Sequence, residues 1–175
     1  MDRLATAGQS DGMLDIHPNA TPTRELVIEA IDRRSFCTLA TVSDTGRPHV
    51  AGVLYEAVGT TLWINTVDAS RKARNVAANP HVAVCIPVRR APVGPPSVIQ
   101  FQASGQVLHP DHPEVVGLLA EGALESITSH GELGVTGSCF LRITPNHRIN
   151  TYGLGLPLRK LISDPLHAVG SVDLV

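Results

Sequence analysis

Phe36-Cys-Thr-Leu-Ala-Thr-Val-Ser43, the turn Asp44-Thr-Gly46 and the run Pro48-His-Val-Ala-Gly-Val-Leu-Tyr-Glu-Ala57 decide how this chain is read. Residues 36–43 are apolar on both faces, the pattern of a strand packed on two sides. Asp44-Thr45-Gly46 supplies a tight turn. Pro48 sits at the first residue of the next strand, where a missing N–H is tolerated. Val58-Gly59-Thr60 turns the chain again into a third run, residues 61–66. Three strands joined by short turns predict an antiparallel meander.

Working outward, Thr21-Pro22 predicts a helix start, with Thr21 as N-cap and Pro22 at the first helical position. Leu26, Val27, Ala30 and Ile31 give that helix an apolar face, and Arg33 and Arg34 fall at its C-terminal end, where the macrodipole favours cations. Past the meander, residues 69–79 read as a short helix ended by Asn79-Pro80. Residues 81–88 form a β-branched run, and residues 89–96 a Pro/Gly loop with Arg89 and Arg90. Residues 97–107 alternate: Ile99, Phe101, Ala103 and Val107 point one way, Gln100, Gln102, Ser104 and Gln106 the other. Gly105 predicts a bulge there. Asp111 and Glu114 predict a capping box for a helix with Val115, Leu118 and Leu119 inward. Residues 138–144 and 147–152 read as the last strands. About six or seven short strands with two or three helices predict a mainly β, α+β architecture, a small barrel rather than a doubly wound sheet.

Composition narrows the function classes. The chain has 175 residues, 43% of them hydrophobic, which suits one domain with a sizeable core. No apolar run approaches the roughly 20 residues of a spanning helix, and residues 1–19 lack an apolar signal core, so no membrane association and a cytoplasmic location are expected. A net charge of −2 gives no bulk attraction for nucleic acid. Cys37, Cys85 and Cys139 sit in apolar runs without a C-x-x-C pair and are expected as buried thiols.

The segment Asn65-Thr-Val-Asp-Ala-Ser70-Arg-Lys-Ala-Arg-Asn75 carries the chemistry. Arg71, Lys72 and Arg74 crowd the first turn of a helix, where each exposed cation opposes the macrodipole at a cost of about 0.3–1 kcal/mol. A bound anion would relieve that conflict, and the free amides and the Ser70 hydroxyl suit a phosphate. A basic helix whose charges face water explains the same residues.

The ordered set Cys37-Thr-Leu-Ala-Thr-Val, Asp44-Thr-Gly-Arg-Pro-His49, Ser70-Arg-Lys-Ala-Arg-Asn75 and Asn79-Pro-His-Val-Ala-Val84 resembles the pyridoxamine 5′-phosphate oxidase-like superfamily. That superfamily includes the flavin- and deazaflavin (F420)-dependent split-barrel reductases of actinobacteria. The resemblance spans residues 22–155 and implies an FMN-binding-like, antiparallel split β-barrel. By position it implies that Ser70, Arg71 and Lys72 hold a cofactor phosphate, and that Asn65 and Thr66 lie against the cofactor. It further implies that the strand Val50, Ala51, Gly52, Val53, Leu54 and Tyr55 lines the ring, mainly through backbone groups. Gln100, five residues before Gly105, would reach the ring's polar edge across a dimer interface. Where the oxidases carry Arg and Lys on the ring-lining strand, this chain has Val50 and Tyr55. Near the C-terminus, Arg148-Ile149-Asn150 stands in place of Arg-x-His. These departures point away from vitamin B6 oxidation, towards F420 first and FMN second.

The resulting expectation is hydride transfer between F420 or FMN and a small organic substrate, in a homodimer with the cofactor between subunits. The alternatives are a non-catalytic carrier or sensor of flavin, deazaflavin or haem on the same fold, and haem degradation. No catalytic residue is assigned; His49 and Tyr55 are the candidate proton donors. His109-Pro-Asp-His112 has metal-like spacing, but a site needs further ligands, and no metal is expected. The domain organisation expected is an N-terminal segment 1–20, a cofactor-binding barrel 21–155 and a tail 156–175 packing on the barrel or a partner.

Overall fold

Thr23, rather than Thr21, caps the first helix. In the computed structural model, which describes residues 22–88 and 97–174, the Thr23 hydroxyl accepts from the Leu26 amide at 3.2 Å, and helix α1 is Arg24–Asp32. Thr21 lies outside the described residues, as does the arginine-bearing loop 89–96. Val27 and Ile31 are fully buried, and Arg33 pairs with Glu29 one turn back at 2.6 Å.

The strands β1 (Phe36–Val42), β2 (Pro48–Leu54), β3 (Glu56–Val58), β4 (Thr61–Val67), β5 (His81–Pro87), β6 (Val98–Leu108), β7 (Ser138–Tyr152) and β8 (Val169–Asp173) form one antiparallel sheet. Its order is β2-β1-β5-β6-β7-β4-β3, with β8 added to β7. The expected meander is therefore corrected. β1 pairs with β2 and β3 with β4, but β2 does not continue into β4; the two hairpins sit at opposite edges. Tyr55 alone joins those edges, as the one residue between β2 and β3. A chain can make that step only if the sheet curls until its margins meet, which produces a barrel split between β2 and β4. Leu39, Ile64, Ile86, Ile99, Leu141 and Ile143 fill its interior. The architecture is thus the expected antiparallel, curled half-barrel with helices.

Helix α2 (Arg71–Ala78) plugs the barrel, sending Ala73 and Val76 into the core. The alternation of β6 holds, with Ile99, Phe101 and Ala103 buried and Gln100, Gln102, Ser104 and Gln106 exposed. The irregularity against β7 falls between Phe101 and Ala103, not at Gly105. Gly105 serves close approach instead: a Cβ there would stand 2.9 Å from Val76 Cγ1 and 3.3 Å from Ile143 Cδ1. Gly105→Val is expected to destabilise by about 1–3 kcal/mol through overpacking. Urea unfolding checks this, and unchanged stability would mean that α2 can shift freely.

β7 runs unbroken over 15 residues where two strands were expected. Helix α3 (Pro113–Ala120) is capped by His112, whose Nδ1 accepts from the Glu114 amide at 3.4 Å, so Asp111 is not the cap. Glu114 instead pairs with Arg142 on β7. A second apolar cluster, built on Trp63, Leu108, Val115, Leu124, Ile127 and Phe140, lies under α3 and the turn after it. Near the C-terminus, helix α4 (Leu158–Ser163) precedes β8. Among the described residues no helix is long and apolar enough to cross a membrane.

Candidate functional site

Ser70 starts α2 as its N-cap. Its side chain accepts from the Ala73 amide at 3.2 Å and its carbonyl from the Arg74 amide at 3.0 Å. The Thr66 hydroxyl donates to Ser70 Oγ at 3.4 Å, tying the end of β4 to the cap. Those bonds leave the amides of Arg71 and Lys72 with no partner within the helix. The first turn holds no acid. Arg71 and Arg74 are exposed and Lys72 is half-buried. The helix is held in place by its apolar side and by Asn75, whose buried Nδ2 donates to the buried Thr41 Oγ1 on β1 at 2.9 Å. The amides of its first turn are therefore preorganised.

Beside this helix start, at the split in the barrel, lies a cavity of about 290 Å³. Gly52, Val53 and Leu54 of β2 form one wall, Ile64 and Asn65 of β4 another, and Lys72 reaches it from α2. β2 is an edge strand, so part of its backbone is unpaired at this wall. The Asn65 amide is oriented by donating to Ser138 Oγ at 3.2 Å. Five of the residues singled out in the sequence thus meet around one space: Gly52, Val53, Leu54, Asn65 and Lys72. Thr66, Ser70 and Arg71 do not line it; each is next in sequence to, or within two residues of, the lining residues Asn65 and Lys72.

Other candidates lie elsewhere. Val50 is exposed on the outer face of β2, and Ala51 packs against the core. Tyr55 is turned inward at 1% exposure, with its hydroxyl donating to the Ile31 carbonyl at 2.7 Å. Burial holds its phenol well above the ordinary range, with Cys37 nearby adding to the shift. Such a phenol is a structural hydrogen-bond donor, and the expectation of the Tyr55 side chain as a proton donor is corrected on that ground. His49 is half-buried and lines none of the cavity at the split. Gln100 lies on the outer sheet face, in a shallow cavity of about 300 Å³ with Thr38, Cys85, Gln102 and Asn150. Its amide points to Cys85 Sγ at 3.7 Å. Within one chain Gln100 does not meet Lys72.

The thiols differ from one another. Burial pushes Cys37 up to about 12, with Cys85 adding to it, whereas Cys85 is only half-buried, which corrects the expectation of three buried thiols. Burial and then Asp68 push Cys139 up while Lys72 draws it back, which puts both charges near the end of β4. Among the described residues no group of three His, Cys, Asp or Glu side chains is placed to hold a metal.

Ser126, Ile127, His130 and Glu132 complete the cavity, and none was singled out in the sequence. Ser126 and Ile127 belong to the 3-10 turn Glu125–Ile127, Glu132 opens the 3-10 turn Glu132–Gly134, and His130 lies in the residues 128–131 between them, which end on Gly131 at φ 89°. Ser126 hydrogen-bonds to the Glu56 carboxylate of β3, and Ile127 is buried in the second apolar cluster.

The cavity thus combines the Lys72 ammonium and the Asn65 amide with the apolar side chains of Val53, Leu54, Ile64 and Ile127. No curated protein matches the chain in sequence. Among solved structures, the fold is similar to that of HutZ, the haem storage protein from Vibrio cholerae, at 19% identity and TM-score 0.65, covering 75% of this chain and 96% of that one. It is also similar to an FAD-binding protein from Mesorhizobium loti at 18% identity and TM-score 0.62, covering 75% and 93%. An F420 reductase aligns at 20% identity and TM-score 0.50, covering 67% and 91%. At these identities the likeness is one of fold. The family model described as pyridoxamine 5′-phosphate oxidase matches residues 23–146, a span that runs from the cap of α1 to the middle of β7 and includes β2, β4 and the Ser70-Arg71-Lys72 helix start. The chain therefore belongs to the pyridoxamine 5′-phosphate oxidase family.

Proposed function

We propose that the chain binds a phosphate-bearing flavin or deazaflavin, F420 in the first place and FMN in the second, and transfers hydride between it and a small organic substrate. The observation that carries this reading is the convergence of Lys72, Asn65 and the edge strand 52–54 on one cavity at the α2 start. The donor set fits the group: two helix amides without helical partners, an ammonium and two guanidiniums suit a phosphate. The exposed edge of β2 suits a planar ring that takes backbone hydrogen bonds. When bound, the cofactor supplies the redox chemistry. Lys72 and the α2 amides fix the phosphate, Asn65 and residues 52–54 orient the ring, and the 126–132 turns exclude water from one side.

A second copy of the chain completes the site in this reading. Phe36, Val50 and Leu54 are exposed on one outer face at 45%, 61% and 60%. They continue into the groove that holds Gln100. A partner covering that face would bury the apolar residues and bring its own Gln100 towards the cofactor.

Titration of the protein with F420 and with FMN, followed by fluorescence, tests the reading. Quenching or a spectral shift at micromolar protein is expected. No change with either cofactor ends the proposal. Haem carriage is the second reading, favoured by the likeness in fold to the Vibrio cholerae haem storage protein and by the His130 imidazole on the cavity wall. A Soret band shifted by the protein, together with silent flavin titrations, would favour it.

A further inference from the structure

We propose that Glu132 selects the charge of the phosphate this cavity accepts, disfavouring a doubly charged monoester and so favouring a singly charged phosphodiester. The inference rests on the phosphate-binding reading of the same cavity. Lys72 and the unpartnered α2 amides attract any phosphate. Glu132 lines the same cavity, and among the described residues Lys72 forms no ion pair with it. Its negative charge is therefore not cancelled by the cation it faces.

Glu132 is also held there. Its Oε2 accepts from the His130 amide at 2.8 Å. The segment that follows its turn meets the loop entering α2, since the Asp68 amide donates to the Gly137 carbonyl at 2.8 Å, and that segment is closed by the Ser138 amide donating to the Val135 carbonyl at 3.0 Å. Gly137 sits at φ 78°, and a Cβ there would stand 2.6 Å from Asp68 Oδ1, so segment and loop are in contact. Glu132 and Lys72 therefore line one cavity, and a phosphate held there by Lys72 shares that space with the carboxylate. The other titratable group on the turn is His130, whose Nδ1 lies 3.7 Å from Glu132 Oε1 and 3.2 Å from Ser129 Oγ. At neutral pH a monoester carries about −1.5 to −2. A diester carries a single negative charge, so a fixed carboxylate repels the monoester nearly twice as strongly.

The test compares FMN, a monoester, with its 5′-methyl phosphodiester, binding to wild type and to Glu132→Gln by fluorescence at low ionic strength. Gln keeps an acceptor for the His130 amide, so the turn persists. FMN is expected to bind the variant about threefold to tenfold more tightly, with a clearly smaller gain for the diester and both gains shrinking in high salt. Glu121→Gln, exposed and outside the cavity, should alter neither affinity. Equal changes for the two esters, or none, overturn the inference while leaving phosphate binding intact. F420 binding by wild type with FMN bound by neither protein also overturns it, because charge would not be what excludes FMN. If wild type binds neither FMN nor F420, the phosphate-binding reading itself fails and the inference falls with it.

Discussion

Lys72→Ala is expected to weaken binding of F420 or FMN by about tenfold to a hundredfold, the loss of one charge-assisted hydrogen bond worth about 1.5–3 kcal/mol. Lys72 is half-buried on the cavity wall, whereas Arg71 and Arg74 are exposed and better screened by water. Arg71→Ala should therefore cost less than Lys72→Ala. Stability distinguishes a binding role from a structural one. A cation in the first helical turn opposes the macrodipole, so the unliganded Lys72→Ala protein should be as stable as wild type, or more stable by about 0.3–1 kcal/mol. Cofactor titration and thermal unfolding of the same variant give both numbers. Unchanged affinity removes Lys72 from the phosphate site; reduced stability without ligand makes it a fold residue.

The same contrast explains what could be read from residues alone. Features set by neighbours in sequence were legible: the alternation of residues 98–104, a helix read over residues 69–79 and found as Arg71–Ala78, and the cluster of cations opposed to a helix dipole. Features set by distant partners were not. The strands of the expected meander are all present, yet nothing local says that β2 and β4 face each other across a split rather than pair. The paired strand of β1 beyond β2 is β5, about forty residues later, and of β4 beyond β3 it is β7, further still. The helix cap moved from Thr21 to Thr23 because both residue types cap well, and the choice falls to the turn that buries Val27 and Ile31. Ser126, Ile127, His130 and Glu132 escaped notice because their segment has no period of either kind. It is held by Ser126 reaching Glu56, seventy residues away, and by Ile127 under α3. Gln100 was separable by alternation, but its meeting with a cofactor needs a surface that one chain does not supply.

Tyr55→Ala is expected to destabilise the fold by about 3–5 kcal/mol, the range for truncating a large buried aromatic side chain. Tyr55 is 1% exposed and closes the step between the two edges of the curled sheet. Its ring packs in the barrel core and its hydroxyl ties that step to the last turn of α1 through the Ile31 carbonyl at 2.7 Å. Tyr55→Phe separates the two contributions: the ring stays, and the loss should be only about 1 kcal/mol for the hydrogen bond, since the Ile31 carbonyl still accepts from the Arg34 amide at 3.1 Å. Because β2 is an edge strand whose end is fixed by this residue, loosening Tyr55 also loosens the wall formed by residues 52–54. Cofactor affinity should then fall with Tyr55→Ala and hold with Tyr55→Phe. Urea unfolding and cofactor titration of both variants test the pair. A Tyr55→Phe protein of wild-type stability that no longer binds cofactor would return the phenol to the site and contradict its place in the core.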